Sequence, residues 1–100
     1  MIILDTNFIS ELMLPNPNKE VAKWLSIQNP DTIFTTSISI AEILSGLELM
    51  PSGRRKRAMK ASFKVIYMSL LEDSVLNFDD ESAKYYSICN RLSRQHKLNI

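Results

Sequence analysis

The sequence contains little of several residue types, and each shortage excludes a class of protein. Its single cysteine, Cys89, cannot form an internal disulfide, so a disulfide-rich secreted domain is excluded and a reducing cytoplasm is the expected location. Two glycines and four prolines in 100 residues exclude collagen-like and low-complexity chains. No apolar run reaches the roughly 18 residues of a membrane span, and the first apolar segment has no signal-peptide pattern. We therefore expect a cytoplasmic protein that does not cross a membrane.

The remaining composition is that of one small globular domain. Hydrophobic residues make up 45% of the chain and charged residues 23%, which is ordinary for a globular protein. One hundred residues support a single core. Twelve basic and eleven acidic side chains give a net charge of +1, so any attraction to nucleic acid must come from local clustering.

Hydrophobic periodicity predicts strands that alternate with helices. The predicted strands cover residues 2–4, 33–36 and 75–78. The predicted helices cover residues 7–14, 18–28, 37–50, 54–71 and about 79–98, and the third begins at a cap on Ser37 or Ser39 and buries the stripe Ile40, Ile43, Leu44 and Leu47. This order predicts an α/β fold with three αβα layers and a parallel sheet.

Two carboxylates occupy positions that are typical of active-site residues in an α/β fold. Asp5 ends the first strand, and Glu42 lies on the third helix away from its apolar stripe. Mg²⁺ takes oxygen ligands and often binds only one or two protein carboxylates. The residues alone leave a plainer alternative open, in which Asp5 caps the following helix and Glu42 is solvated. Asp79 and Asp80, which follow the third strand, are better explained as helix caps.

Two segments carry a resemblance to a known family. The opening Met-Ile-Ile-Leu-Asp-Thr-Asn and the segment Thr-Ser-Ile-Ser-Ile-Ala-Glu-Ile-Leu-Ser-Gly-Leu at residues 36–47 resemble the PIN domain of VapC-type toxins. The resemblance implies that Asp5 and Glu42 are metal ligands and that Asn7 positions a water molecule. It further implies an endoribonuclease that depends on Mg²⁺ or Mn²⁺, acts as the toxin of a type II toxin–antitoxin system, is inhibited by a small antitoxin and forms a homodimer.

The chain departs from the family pattern at its end. The family continues with a helix that begins at a third acid, then a fourth strand with another acidic or polar residue, and no such segment follows in these 100 residues. We therefore expect residues 1–100 to form a partial PIN-like domain, truncated at Ile100. The missing strand belongs beside the first strand, so we expect Ile2 and Leu4 to have an unpaired, uncovered flank and the isolated monomer to be unstable.

Basic residues cluster in the fourth predicted helix. Six of the twelve lie between residues 54 and 64, with no acid among them. The candidates for RNA binding are Arg54, Lys56, Arg57, Lys60 and Lys64. A phosphate backbone is one natural counterpart, whereas a solvated face or a contact to an acidic patch on an antitoxin are the alternatives.

The other candidate features are weaker. Aromatic residues such as Trp24 and Tyr67 are more typical of a core or its rim than of base stacking. Apolar residues along the helices, including Phe8, Leu12, Trp24 and Leu49, could form a groove for a partner helix. His96, among basic residues at the end of the last helix, is not expected to act as a general base.

Two alternatives to the nuclease follow from the same residues. A catalytically incomplete PIN-like module could bind an antitoxin or dimerise without cleaving RNA. A haloacid-dehalogenase-type phosphatase would need an acid two residues after Asp5, and Asn7 occupies that position, so we set this class aside.

Overall fold

A computed structural model describes residues 1–77 of the chain. The last predicted helix and the predictions for Phe78, Asp79, Asp80, Cys89 and His96 fall outside this range. No helix within residues 1–77 is long and apolar enough to cross a membrane.

Strands and helices alternate along the chain as the periodicity predicted. The three strands are β1 (Ile2–Ile3), β2 (Ile33–Thr36) and β3 (Val75–Leu76). The four α-helices are α1 (Thr6–Met13), α2 (Lys19–Ser26), α3 (Ser37–Leu49) and α4 (Arg54–Ile66). A 3-10 turn (Pro30–Thr32) precedes β2, and α4 continues into a π-helix (Tyr67–Leu71) that the sequence pattern did not distinguish from α-helix. The predicted α/β class is confirmed.

The sheet is parallel, with the strands in the order β1-β2-β3. Ile2 pairs with Ile33 in β2, and Thr35 of β2 pairs with Val75. Beyond β1, the amide of Leu4 donates to the carbonyl of Phe34 at 2.7 Å. Strand β1 therefore lies at one edge of the sheet formed by residues 1–77, and β2 lies in the middle.

Helix starts follow from polar side chains that satisfy free amides. Asn18 caps α2, as predicted, because its side-chain oxygen accepts hydrogen bonds from the amides of Glu20 and Val21. The predicted cap of α3 was wrong. The cap is Thr36, the last residue of β2, and its hydroxyl accepts a hydrogen bond from the amide of Ser39.

The core lies between the sheet and the helices α1, α3 and α4. Its buried side chains are Leu4, Ile9, Met13, Ile33, Ile43, Leu47, Phe63 and Leu71. The expectation that Leu4 is uncovered was wrong, because its side chain is 3% exposed, and Ile3 is the β1 residue that is 40% exposed. Successive strand side chains point to opposite faces, and Leu4 occupies the core face.

Two further predictions concern residues at the rim of the core. Leu44 was predicted to be buried but is 51% exposed, so the buried stripe of α3 is narrower than expected. Trp24 packs edge-on against Phe8 with ring centroids 5.6 Å apart, and Tyr67 packs against Phe63 at 6.0 Å. Both residues were predicted to belong to the core or its rim, and these ring contacts place them at the rim.

Candidate functional site

The carboxyl-terminal edge of the sheet brings Asp5 and the start of α3 together. Residues Ile3 and Phe34 are partners in the parallel pairing of β1 and β2. Continuing this register by two residues places Asp5 beside Thr36. Helix α1 begins at Thr6 and α3 at Ser37, so two helix N-termini meet at this edge, where open α/β sheets bind their ligands.

Asp5 is the N-cap of α1. Its Oδ1 accepts a hydrogen bond from the amide of Phe8 at 2.8 Å, and its side chain is half-buried. The plainer explanation of this acid, a helix cap, is therefore correct. It does not displace the metal-ligand prediction, because Oδ2 makes no hydrogen bond within residues 1–77 and a carboxylate accepts at both oxygens.

Three buried hydroxyl groups support this edge. The sequence pattern named Ser39 only as a possible helix cap and did not single out Thr35 or Thr36. Thr35, which is fully buried, donates to the carbonyl of Leu4 at 2.8 Å, directly before Asp5. Thr36 and Ser39 are also buried, with their hydroxyl oxygens 3.3 Å apart. The available signal was the spacing of Thr36 and Ser39, which is that of an N-cap and the third helical residue. These bonds hold the end of β1 against the start of α3.

Glu42 and Asn7 are both exposed. Glu42 lies six residues beyond the cap of α3, about 9 Å along the helix axis. Its carboxylate forms no hydrogen bond or ion pair within residues 1–77, and the side chain of Asn7 forms none there either. The assignment of Asp5 and Glu42 as metal ligands, with Asn7 positioning water, stays a prediction.

The donor chemistry of these residues fits a hard divalent cation. The Oδ2 of Asp5 and the carboxylate of Glu42 are the ligand type that Mg²⁺ takes, with waters completing its coordination. No group of three or more histidine, cysteine or acidic side chains that could hold a metal occurs within residues 1–77. A site here would therefore contain two protein carboxylates from this part of the chain.

A second group of acids lies at the opposite edge of the sheet. Asp31, Glu72 and Asp73 line an open depression of about 400 Å³ next to the starts of β2 and β3. They are exposed, and they do not form a metal-binding group. Among residues 1–77, acids therefore occur at both edges, and Asp5 at the carboxyl edge is the acid that caps an α-helix beside buried hydroxyl groups.

The predicted basic residues lie along α4. Two of them contact Glu48 of α3, and the other three do not. The ammonium group of Lys56 donates to the carbonyl of Glu48 at 3.2 Å, and that of Lys60 lies 4.0 Å from the carboxylate of Glu48. Arg54, Arg57 and Lys64 are exposed and make no ion pair within residues 1–77. Two of the five candidates for RNA binding thus also contact the end of α3.

The chain belongs to the PIN-domain family, whose model matches residues 2–99. The predicted resemblance to this family is confirmed. The toxin FitB of Neisseria gonorrhoeae is 30% identical over 100 residues, which are all of this chain and 72% of FitB. A VapC ribonuclease, Y4jK of Sinorhizobium fredii, and the plasmid stability protein StbB of Pseudomonas syringae pv. tomato are each 34% identical over 87 residues.

Solved structures show the same fold. The crystal structure of FitAcB from Neisseria gonorrhoeae matches all of this chain and 72% of its own chain, with a TM-score of 0.72 and 30% identity. A structure of FitAB bound to an IR36 DNA fragment matches with a TM-score of 0.73 at 30% identity, over 70% of its own chain.

The relatives are longer than this chain. The sequence spans 63% of the length of StbB and 62% of that of Y4jK. Similarity to them shows the family and the fold, while activity, substrate and partners remain matters for proposal.

Proposed function

We propose that this chain is the toxin component of a type II toxin–antitoxin system and acts as a Mg²⁺- or Mn²⁺-dependent endoribonuclease. The observation that carries the proposal is the position of Asp5 in a PIN-domain chain. Its carboxylate follows β1 at the carboxyl edge of the sheet, with one oxygen held by the amide of Phe8 and the other without a hydrogen bond to any of residues 1–77. The names of two relatives, a VapC ribonuclease and a toxin, support the same activity.

In this proposal Asp5 and Glu42 hold the metal ion, and Asn7 orients the water that attacks the phosphodiester bond. The ion, when bound, activates water and neutralises charge on the phosphoryl group. The cap hydrogen bond orients the carboxylate of Asp5. The bond from Thr35 to the carbonyl of Leu4 fixes the backbone that carries Asp5, in the way that outer-shell partners orient metal ligands. Acidic residues beyond these two would complete the site.

Partners follow from the same relatives. The structural neighbours are named FitAcB and FitAB, and we propose that this chain likewise binds a cognate antitoxin. A homodimer and a cytoplasmic location complete the proposal. The candidate groove for a partner helix includes Phe8 and Leu12, which are half-buried, Trp24, which is 40% exposed, and Leu49, which is 82% exposed.

The test is RNA cleavage with and without Mg²⁺ by this chain and by its Asp5→Asn variant. Asparagine caps a helix as well as aspartate does, so this change removes the charge and keeps the cap. Losing an outer-shell partner of a metal costs 10–100-fold, so losing a direct ligand should lower the rate at least about 100-fold. Glu42→Gln should have a similar effect.

The matched control is Asp31→Asn, the same substitution at the opposite edge of the sheet. Asp31 is exposed, and its side chain makes no hydrogen bond within residues 1–77, so cleavage should stay at the level of the unsubstituted chain. Full activity in Asp5→Asn, or equal loss in both variants, would contradict the assignment of this site.

The second candidate function is a PIN-like module that binds an antitoxin or dimerises without cleaving RNA. The observation that favours it is the small number of acids, since residues 1–77 contain no group of three or more metal-binding side chains. If Mg²⁺ and Mn²⁺ both fail to support cleavage while a cognate antitoxin still binds the chain, this alternative is correct and the nuclease proposal is wrong.

A further inference from the structure

The start of α4 contradicts the usual electrostatics of a helix. A helix N-terminus is the positive end of the macrodipole and favours acidic residues in its first turn. Helix α4 instead begins Arg54-Arg55-Lys56-Arg57, has no acid in its first turn, and lacks a side-chain cap at Gly53. Like charges four residues apart also repel, as Lys56, Lys60 and Lys64 do. Helix stability therefore does not explain this sequence.

The helical geometry gathers most of these cations on one side. With 3.6 residues per turn, Arg54, Arg57, Lys60 and Lys64 fall within an arc of about 120° over a length of about 15 Å. We call these four residues the basic stripe. All four are exposed, and Glu48 is the only acid of residues 1–77 that contacts the stripe, at Lys60.

The contact between the stripe and α3 is made at Glu48 and not at the proposed metal ligand Glu42. Lys56 and Lys60 contact Glu48, which places α4 and its stripe on the Glu48 side of α3. Glu42 and Glu48 are six residues apart and therefore point about 120° apart around the helix. The stripe therefore consists of residues distinct from the proposed metal ligands, and its contact with α3 is directed around the helix away from Glu42.

We propose that the basic stripe anchors the sugar–phosphate backbone of single-stranded RNA, without reading its sequence. Exposed cations that contact a single acid within residues 1–77 attract phosphates, and this attraction is sequence-independent and sensitive to salt. The choice of RNA as the ligand rests on the proposed function. The stripe adds to that function a substrate-binding surface made of residues other than Asp5.

The test compares two double variants that each remove two charges. Arg57→Gln/Lys64→Gln alters the stripe, whereas Lys19→Gln/Lys23→Gln alters two exposed lysines of α2. Binding of a labelled single-stranded oligouridine is measured by fluorescence anisotropy in EDTA, between 50 and 200 mM salt. Each lost phosphate contact lowers the slope of log K against log salt by about 0.7 for a single strand.

We expect the stripe variant to lose about 1.4 from this slope, and the α2 variant to keep the slope of the unsubstituted chain. Over that fourfold change in salt, the difference amounts to about a sevenfold change in relative affinity. A charge-preserving variant, Arg57→Lys/Lys64→Arg, should keep the full slope. Thermal unfolding of each variant confirms that the fold is intact.

Two results would overturn the proposal. One is an equal loss of slope in both double variants, which would mean diffuse attraction by the whole surface. The other is an unchanged slope in the stripe variant. If that variant in addition loses binding to polyglutamate, the stripe binds an acidic polypeptide instead of RNA.

The binding test is independent of cleavage, because EDTA removes the divalent ion. If Asp5→Asn retains cleavage but the stripe variant loses its salt slope, the assignment of the metal site to Asp5 fails and the anchoring surface stands. If both proposals hold, the stripe variant raises KM at moderate salt and leaves kcat unchanged, whereas Asp5→Asn lowers kcat.

Discussion

The starts of α1 and α4 show two opposite ways of beginning a helix. At α1, Asp5 caps the helix with its side chain, and the negative charge suits the positive end of the dipole. At α4, Gly53 offers no side-chain cap, and cations occupy the first turn. The start of α1 is therefore stabilised by its cap and its charge, whereas the start of α4 has neither of these stabilising features. The difference indicates that the charges of α4 are present for something other than folding.

Of the substitutions that test this comparison, Gly53→Ala should change the free energy of unfolding most. Gly53 has φ 151° and ψ −168°, a region that side-chain-bearing residues rarely adopt. A Cβ would meet no atom within 4 Å, so the cost is backbone strain alone, of about 1–3 kcal/mol in the free energy of unfolding. Urea denaturation measures this loss.

The matched control for this change is Gly46→Ala in the interior of α3. Gly46 has no positive φ and is equally open, so alanine should raise the free energy of unfolding by about 0.5–1 kcal/mol. Changes of the same sign at both glycines would contradict the backbone explanation.

The next effect concerns the cap at Asp5. Asp5→Ala removes the acceptor for the amide of Phe8 and should lower the free energy of unfolding by about 1 kcal/mol, whereas Asp5→Asn should change it little. Thermal denaturation of both variants, together with RNA cleavage, separates the cap from the charge. Equal stability of Asp5→Ala and Asp5→Asn would show that the cap contributes nothing.

A smaller effect of opposite sign is expected from Arg54→Glu. An acid in the first turn of α4 complements the helix dipole, so the free energy of unfolding should rise by about 0.3–1 kcal/mol. The same change reverses a charge of the basic stripe and should weaken RNA binding several-fold at low salt. Denaturation and anisotropy titration check the two halves. If Arg54→Glu lowers the stability and leaves the RNA affinity unchanged, the explanation that the cations of α4 favour RNA binding at the expense of helix stability is wrong.

The smallest effect should follow Glu48→Gln. The ion pair between Glu48 and Lys60 is exposed on both sides, so its loss should cost less than about 0.5 kcal/mol. Lys60 is then no longer neutralised, and the salt slope of RNA binding should steepen slightly. Glu20→Gln on α2 is the control, and the proposal predicts that only Glu48→Gln steepens the slope.

Much of the fold could be predicted because its signals are local. Alternation and helical spacing placed β2 at its observed bounds, and Pro and Asn residues marked the ends of α1 and α2. The cap of α3 was mispredicted because Thr35, Thr36, Ser37 and Ser39 are all suitable hydroxyl residues. Which of them ends the strand depends on pairing with β1 and β3, and that is not a local property.

Part of the candidate site was also predictable, because some of its signals are local in the sequence. Asp5 and Glu42 stood out by their positions in a strand and a helix, and the family match supports the pattern from which they were chosen. The hydroxyl of Thr35 did not stand out, because its bond to the carbonyl of Leu4 joins residues 31 apart in sequence. The exposure of Leu44 was missed because periodicity gives the direction of a face but not how much of it the neighbouring elements cover.

The sequence by itself determined the order of strands and helices and the family, and it singled out Asp5 and Glu42 as candidate ligands, since each depends on neighbouring residues and their spacing. Only the tertiary structure decided that Thr35 secures the strand end before Asp5, and that Glu48 contacts Lys56 and Lys60, whereas Arg57 and Lys64 form no ion pair within residues 1–77. These contacts depend on how separate elements pack, because a hydrogen bond or ion pair forms only when distant segments meet at the right distance.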